Sequence, residues 1–299
     1  MIRFAAVAAL VVCQSLAMAT EFKAGDRVFW KDGTRGSDGF QEISIDRFAF
    51  PSTVLDVQNE FLFLGAGWIN QEDALSADEA LAYFTERVNS QPDEPAYWIH
   101  RGRVWEEKQD FAKAVADYRQ AAKLAPDDST THNNLGVALQ KQGEHSAAIK
   151  HYDRAIQADA ENPTFFYNRG RANQYSGNYA AAARDYAEAV RVDPNYLPGY
   201  NNAAWLAATC PDEEYRNPRL ALQLAEQAAQ MTQGKVWEVL DTLAAAQAAI
   251  GDFAAAVATS EQALKLGSDA AIHGGVRDRM ELYRAGKPYR MPADLAASP

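Results

Sequence analysis

The sequence has little cysteine, a deficit of basic residues and, after its first 19 residues, no long apolar run. Its two cysteines are Cys13 and Cys210. No later stretch is apolar enough to span a bilayer, so no transmembrane segment is expected. The net charge of −11 argues against a sequence-independent affinity for nucleic acid or anionic lipid, because such affinity needs an excess of lysine and arginine.

Signatures of catalysis are also missing. The chain contains no H-E-x-x-H zinc motif, no G-x-S-x-G nucleophile turn, no phosphate-binding G-x-x-x-x-G-K loop and no cysteine pairs with metal spacing. The densest imidazole group is His132, His145 and His151, and the last two are not expected to share a helix face. We therefore expect no enzyme activity, no cofactor and no metal site. A hydrolase subunit stays a third possibility, which an activity assay would reveal.

The first residues predict export. A short positive start, an apolar run over residues 4–12 and the sequence Ala17-Met18-Ala19 are typical of a secretory signal peptide, residues 1–19. We expect a periplasmic or secreted protein after cleavage near Ala19. Cleavage would remove Cys13 and leave Cys210 as a buried thiol or in an intermolecular disulfide.

A period of 34 residues runs through the middle of the chain. It connects Gly102, Gly136 and Gly170; Ala114, Ala148 and Ala182; Tyr118, Tyr152 and Tyr186; Ala121, Ala155 and Ala189; and Pro126, Ala160 and Pro194. The first unit resembles the tetratricopeptide repeat (TPR) through Trp98, Gly102, Ala114, Tyr118, Ala121 and Pro126. The resemblance implies a mainly α fold, a right-handed α-solenoid of helical hairpins. The glycines and alanines would then be close contacts between helices.

Five hairpin units are expected, residues 95–128, 129–162, 163–196, 197–235 and 236–267. In the third unit we predict helices over residues 164–175 and 179–192, and in the fourth an inserted turn over 210–218. Residues 76–94 are expected to be a capping half-repeat, whose helix begins with a capping box of Ser76 and Glu79. Residues 268–299 are expected to be a C-terminal cap and tail, with a helix over 277–285.

Residues 20–75 instead contain short β-rich runs separated by turn formers, which predict a small all-β barrel. Through "GDRVFW", "STVLDV" and "GWI" this segment resembles bacterial Src-homology-3-like domains. Domains of this kind bind proline-rich or wall peptides in aromatic-lined grooves. Trp30 and Trp68 could line such a groove, or both could be core residues.

In the repeat family that the chain resembles, the first helix of each hairpin lines a concave groove. The candidate groove residues are His100, Arg103, Asn133, Asn134, Tyr167, Asn168, Arg171, Tyr175, Asn201, Asn202 and Trp205. Carboxamides can bond an extended peptide backbone, arginines can bind a carboxylate, and aromatic rings can hold apolar side chains. Alternatively, the asparagines bridge neighbouring helices.

These features together predict an adaptor without enzyme activity, located outside the cytoplasm, that binds a protein or extended peptide in the groove. In an alternative interpretation, the barrel binds an envelope or cell-wall polymer and the solenoid is a spacer. That alternative would associate the protein with the cell envelope.

Overall fold

In the computed structural model of the protein, the described residues are 22–32, 34, 36–37, 42–43, 51–58, 61–64, 68–266 and 270–293. The predicted signal peptide, residues 1–19, and its cleavage site lie outside them. So do parts of the segment predicted to be a barrel, such as residues 33 and 65–67. The chain forms two compact units, Met1–Gln91 and Pro92–Pro299.

The first unit contains two antiparallel sheets of short strands. In chain order the described strands are β1 (Arg27–Trp30), β2 (Gly36–Ser37), β3 (Glu42–Ile43), β4 (Ser52–Thr53), β5 (Asp56–Gln58), β6 (Phe61–Phe63), β7 (Trp68–Asn70) and β8 (Ala74–Leu75). One sheet has the order β4-β1-β8, and the other has the order β3-β2-β7-β6-β5. Among the described strands no pairing closes these sheets into a barrel, so the Src-homology-3-like barrel stays a prediction.

The strand β1 has different partners along its length. Its first half pairs with β4, with Arg27 opposite Thr53, and its second half pairs with β8, with Phe29 opposite Leu75. Successive side chains of a strand point to opposite faces. Val28 and Trp30 accordingly belong to one apolar cluster with strand residues such as Leu62, while Phe29 is fully buried on the other face.

The helix α1 (Ala77–Ser90) completes the first unit and packs against β1 and β8. The predicted capping box is confirmed, since Ser76 N donates to Glu79 Oε2 at 2.8 Å and Ser76 Oγ accepts from Glu79 N at 3.4 Å. An ion pair of 3.1 Å joins Arg87 on this helix to Asp32. The role of α1 as a cap for the repeats stays a prediction.

The described helices of the second unit form five hairpins and a final helix. They are α2 (Pro95–Glu107) with α3 (Phe111–Leu124), α4 (Ser129–Lys141) with α5 (His145–Ala158), α6 (Pro163–Tyr175) with α7 (Tyr179–Val192), α8 (Leu197–Thr209) with α9 (Pro218–Met231), α10 (Trp237–Ala249) with α11 (Phe253–Leu266), and α12 (Ala270–Arg284). Both helices predicted for the third hairpin, residues 163–196, are confirmed. The first begins one residue early, at Pro163, because proline is well suited to the first helical position.

The repeated glycines lie where the two helices of a hairpin cross. A Cβ atom on Gly102, Gly136 or Gly170 would lie 2.5, 2.6 or 2.8 Å from a ring carbon of the tyrosine 16 positions later, namely Tyr118, Tyr152 or Tyr186. Carbon atoms normally come no closer than about 3.5 Å. The prediction that these glycines are close contacts between the helices is confirmed, and the contact at each of them is a buried tyrosine ring.

Each of these tyrosines is fully buried and has one acceptor for its hydroxyl group. Tyr118, Tyr152 and Tyr186 donate to Glu106, Gln140 and Gln174 at 2.6, 3.0 and 2.9 Å. A buried hydroxyl without a partner would destabilise the fold. The glycine, the tyrosine and the acceptor therefore form one packing unit.

Two features outside the regular period were predicted with different success. The inserted turn is confirmed, and Asn217 caps the helix α9 that follows it by accepting from Leu220 N at 3.1 Å. The start of the final helix was wrong, because α12 begins at Ala270 rather than at Arg277. Glycines disfavour a helix, but the burial of Val276, Met280 and Tyr283 makes tertiary packing decisive here.

The part of the chain that the structure describes contains no helix with the length and hydropathy of a membrane span.

Candidate peptide-binding groove

A cavity of about 490 Å³ lies against the first helices of successive hairpins, α6, α8 and α10, and against α12. We call it the groove. Six of its lining residues are the predicted Tyr167, Arg171, Tyr175, Asn201, Asn202 and Trp205. The structure thus brings together the predicted side chains of the third and fourth hairpins, residues 163–196 and 197–235.

Further residues of the groove were not among the predicted site residues. They include Gln174, Tyr186, Trp237, Glu238, Asp241, Thr242 and Arg279. Glu238 and Thr242 lie on the inner face of α10 that helical spacing indicates, so the period could have included them. Arg279 lies on α12, beyond the last recognisable repeat, and no periodic signal reaches it.

Asn201 contributes a carboxamide to the groove. Its Oδ1 atom is buried and has no hydrogen-bond partner among the described residues. The atom is enclosed by neighbouring groups, so the carboxamide meets a ligand through its other atoms. The neighbouring Asn202 adds a second carboxamide to the same wall. Carboxamides can donate to and accept from the main chain of an extended peptide.

Arg171 contributes a positive charge to the groove. Burial alone would lower the pKa of this guanidinium, but its contacts with Tyr167 and Tyr175 outweigh burial and raise the pKa above its ordinary value. The guanidinium carbon lies 5.8 Å from the ring centre of Tyr167. Arg171 forms no ion pair within the described part of the chain, so it can bind a carboxylate of a ligand.

A charged pair lies against Trp205 in the groove. Arg279 binds Asp241 through two hydrogen bonds, Nε to Oδ1 at 3.0 Å and Nη2 to Oδ2 at 2.6 Å. Burial raises the pKa of Asp241 while Arg279 lowers it, and the net direction is upward. The guanidinium carbon also lies 5.4 Å from the ring centre of Trp205. The pair fixes one face of this tryptophan in the groove.

The asparagines of the second and third units have a different role. Asn168 is only 8% exposed and donates from Nδ2 to Asn133 Oδ1 at 2.9 Å. This contact joins α6 to α4, so at these two positions the structure favours the alternative in which asparagines bridge neighbouring helices. Asn134 is half-buried, and its Nδ2 atom has no partner among the described residues.

The remaining predicted residues lie outside the groove. His100 and Arg103 are half-buried on α2, and Arg103 acts electrostatically on Glu106. In the compact unit Met1–Gln91, Trp30 is 8% exposed and belongs to the apolar core. This burial favours, for Trp30, the alternative in which it is a core residue. The backbone of Trp68 is part of β7, but its side chain lies outside the described residues.

Two members of the histidine group noted in the sequence, His132 and His151, form a pair in the structure. Nδ1 of His132 lies 3.2 Å from Nδ1 of His151, and Nε2 of His132 lies 2.8 Å from the carbonyl of Pro126. Burial, His132 and two nearby arginines lower the pKa of His151 to about 4, so the ring is neutral at pH 7. No group of three or more metal-binding side chains comes together among the described residues.

Cys210 is fully buried, and burial raises the pKa of its thiol. This environment favours the buried thiol over an intermolecular disulfide, because disulfide exchange needs an accessible thiolate.

A larger cavity, about 780 Å³, lies beside α5, α6 and α7. Its main polar side chains already bond one another. Arg169 binds Asp185 at 2.6 Å and Asp153 at 2.7 Å, and Arg191 binds Glu188 at 2.6 Å. Since these charges are already paired with one another, they are less able to bind a ligand in this cavity.

Comparison with known families supports the repeats directly. Residues 70–129 and 107–163 match a model described as tetratricopeptide repeat, and residues 163–196 match a second model of the same description. The predicted tetratricopeptide repeats are confirmed. The hairpins of the compact unit Pro92–Pro299 stack as a TPR solenoid.

Solved TPR structures share this fold at low sequence identity. A tetratricopeptide repeat protein from Parabacteroides merdae has a TM-score of 0.59 at 17% identity, over 70% of this chain and 81% of that one. Yeast Tom70 has a TM-score of 0.54 at 16% identity, over 69% of this chain and 43% of that one. YrrB, described as a TPR protein with an unusual peptide-binding site, has a TM-score of 0.51 at 15% identity, over 67% of this chain and all of that one. No curated protein matches the sequence at a significant level.

Proposed function

We propose that this chain is an adaptor without enzyme activity that binds an extended segment of a partner protein in the groove. We further propose that it acts outside the cytoplasm, as the signal-peptide pattern of residues 1–19 indicates. The described TPR hairpins support a role in protein interaction. The partner is a protein or peptide, and the proposal needs no cofactor.

One observation carries the proposal. The groove combines the carboxamides of Asn201 and Asn202, a cation on Arg171 without an ion-pair partner among the described residues, and the aromatic side chains of Tyr167, Trp205 and Trp237. An extended peptide offers main-chain N–H groups, a carboxylate or carbonyl groups, and apolar side chains. These three kinds of group match the three kinds of residue in the groove.

A specific observation weakens the alternative in which the N-terminal sheets bind an envelope polymer. That interpretation uses exposed aromatic rings, and Trp30 is buried in the core of its unit. The groove therefore has the better claim to the binding site.

The experiment is a selection of binding peptides from a random library on the intact protein, followed by affinity measurements on variants. Arg171→Ala and the double variant Asn201→Ala/Asn202→Ala should each weaken binding about tenfold or more, equivalent to about 1.4 kcal/mol. Arg191→Ala is a matched control, because Arg191 is exposed on α7 and bonds Glu188 outside the groove. It should leave the affinity unchanged.

Circular dichroism and the melting temperature of each variant would report the fold. If the selected peptides bound the two groove variants as tightly as the unmodified protein, with the fold intact, the groove would not be the binding site.

A further inference from the structure

The last described residues of the chain return to the groove. Beyond α12 the backbone turns at Gly286, where φ is +67°, and residues 287–293 continue without helix or strand. Met291 N donates to Thr209 O at 2.8 Å, and Arg290 Nη1 donates to Ala208 O at 3.0 Å. Both acceptors lie in the last turn of α8, where carbonyl groups lack helical partners. We call residues 287–293 the tail.

Two side chains of the tail occupy separate places on the repeats. Met291 is 5% exposed and packs in an apolar cluster with residues such as Tyr186 and Leu206. The ring centre of Tyr289 lies 5.7 Å from that of Trp205. The tail thus contacts the repeats through main-chain and side-chain groups together, as an extended peptide ligand does.

The tail and the groove share lining residues. Gln174, Tyr186 and Trp205 all line the groove. Gln174 Nε2 lies 3.5 Å from Met291 Sδ, Tyr186 packs in the same cluster as Met291, and Trp205 contacts Tyr289. The tail therefore packs against three residues that also line the groove. Arg171, Asn201 and Trp237 line the groove as well.

The composition of the tail suits reversible docking. Pro288 and Pro292 restrict the backbone to extended conformations, which lowers the entropy lost on docking. Burial and the nearby Arg216 lower the pKa of Arg290, and Glu213 opposes this change. No carboxylate lies within ion-pair distance of Arg290 in the described part of the chain.

We propose that the tail is a built-in competitor for the groove, and that a partner segment with an aromatic residue, a basic residue and an unbranched apolar residue in succession displaces it. The inference rests on the proposed function, because it assigns the ligand class and the regulation of the same groove. Tethering keeps the tail at a roughly millimolar effective concentration, so a few contacts are enough to hold it.

The test uses the full chain and a labelled synthetic peptide with the sequence of residues 287–293. The double variant Tyr289→Ala/Met291→Asp releases the tail without shortening the chain. The peptide should bind this variant about tenfold or more tightly than it binds the unmodified protein, because the internal competitor is lost. The same peptide carrying Met291→Asp should bind neither protein. Lys287→Ala in the protein is the matched control, since Lys287 is exposed, and it should not change the affinity.

Peptides from the library selection provide the second arm. If they bound the unmodified and the tail-released proteins equally, the tail would not compete for the groove, although the proposed function would stand. If no peptide bound either protein while both were folded, the proposed function itself would be overturned. Melting temperatures of both proteins would establish that each is folded.

Discussion

The first three hairpins and the last two fill the same crossing with different volumes. The eighth residues of the paired helices are Gly102 and Tyr118, Gly136 and Tyr152, Gly170 and Tyr186, then Ala204 and Ala225, and finally Ala244 and Ser260. A large ring faces a glycine in the first group, whereas both positions carry small residues in the second. Interiors are densely packed, so other side chains must fill the space that the ring fills in the first group. In the last hairpin, Tyr283 of α12 packs with Ala244 and Ala248.

The acceptor for the tyrosine hydroxyl changes together with the tyrosine. The twelfth residue of the first helix is Glu106, Gln140 or Gln174 where the tyrosine is present, and Ala208 or Ala248 where it is absent. A polar acceptor without its donor would be buried at a cost. The glycine, the tyrosine and the acceptor of its hydroxyl group therefore change together. The regular period ends at the hairpin where all three are replaced.

The largest effect is expected from removing a ring in the first group. Tyr152→Ala should lower the free energy of unfolding by about 3–5 kcal/mol, because it leaves a cavity beside Gly136 and deprives Gln140 of its donor. At the equivalent position of α9, Ala225→Gly should cost only about 1 kcal/mol. Urea denaturation measures both. Equal losses at the two positions would show that the hairpins are not packed differently.

A smaller effect is expected from adding one carbon atom. Gly170→Ala should destabilise the fold by about 1–3 kcal/mol, because its Cβ would lie 2.8 Å from the Tyr186 ring. Gly274→Ala is the matched control, since nothing lies within 4 Å of its Cβ. Within the helix α12 this control should stabilise by about 0.5–1 kcal/mol. Thermal melts that move in the same direction for both variants would contradict the crossing geometry.

The smallest effect concerns the one carboxylate among the three acceptors. Burial raises the pKa of Glu106, although Tyr118 and Arg103 oppose the rise. The folded state then holds the proton more tightly than the unfolded state. The contribution of Glu106 to stability is therefore fully present below the ordinary glutamate pKa and is lost as the pH rises through the raised pKa.

Glu106→Gln would convert the first hairpin to the acceptor of the next two and remove this pH dependence. The measurement is the free energy of unfolding across that pH range for both proteins. The difference between them should shift in favour of the variant as the pH rises. A difference that stayed constant with pH would mean that Glu106 titrates alike in the folded and unfolded chains.

How much the sequence predicts depends on whether a contact repeats. The Gly170–Tyr186 crossing recurs every 34 residues, so its register can be read directly, and the groove residues Arg171 and Asn202 follow from helical spacing. The pair of His132 and His151 occurs once, and no pattern marks it. The contacts of the tail span 82 residues from Arg290 to Ala208 and 117 from Met291 to Gln174. Such single long-range contacts leave no period in the sequence.

The start of the helix α12 is another feature that the local sequence does not predict. Gly274 and Gly275 disfavour a helix by propensity alone, and the predicted helix, residues 277–285, began after them. Packing of Val276 and Tyr283 against the preceding hairpin overrides that propensity. Local rules therefore fail where the repeats end and tertiary contacts decide the structure.

The most direct test of the groove uses the protein's own tryptophans. With fluorine-labelled tryptophan, the resonances of Trp205 and Trp237 should shift when a selected peptide is added, because both side chains line the groove. Those of Trp98, bonded to Pro92 O at 2.8 Å, and Trp105, beneath Lys113, should stay in place. Shifts confined to the second pair, with Trp205 and Trp237 unchanged, would contradict the account.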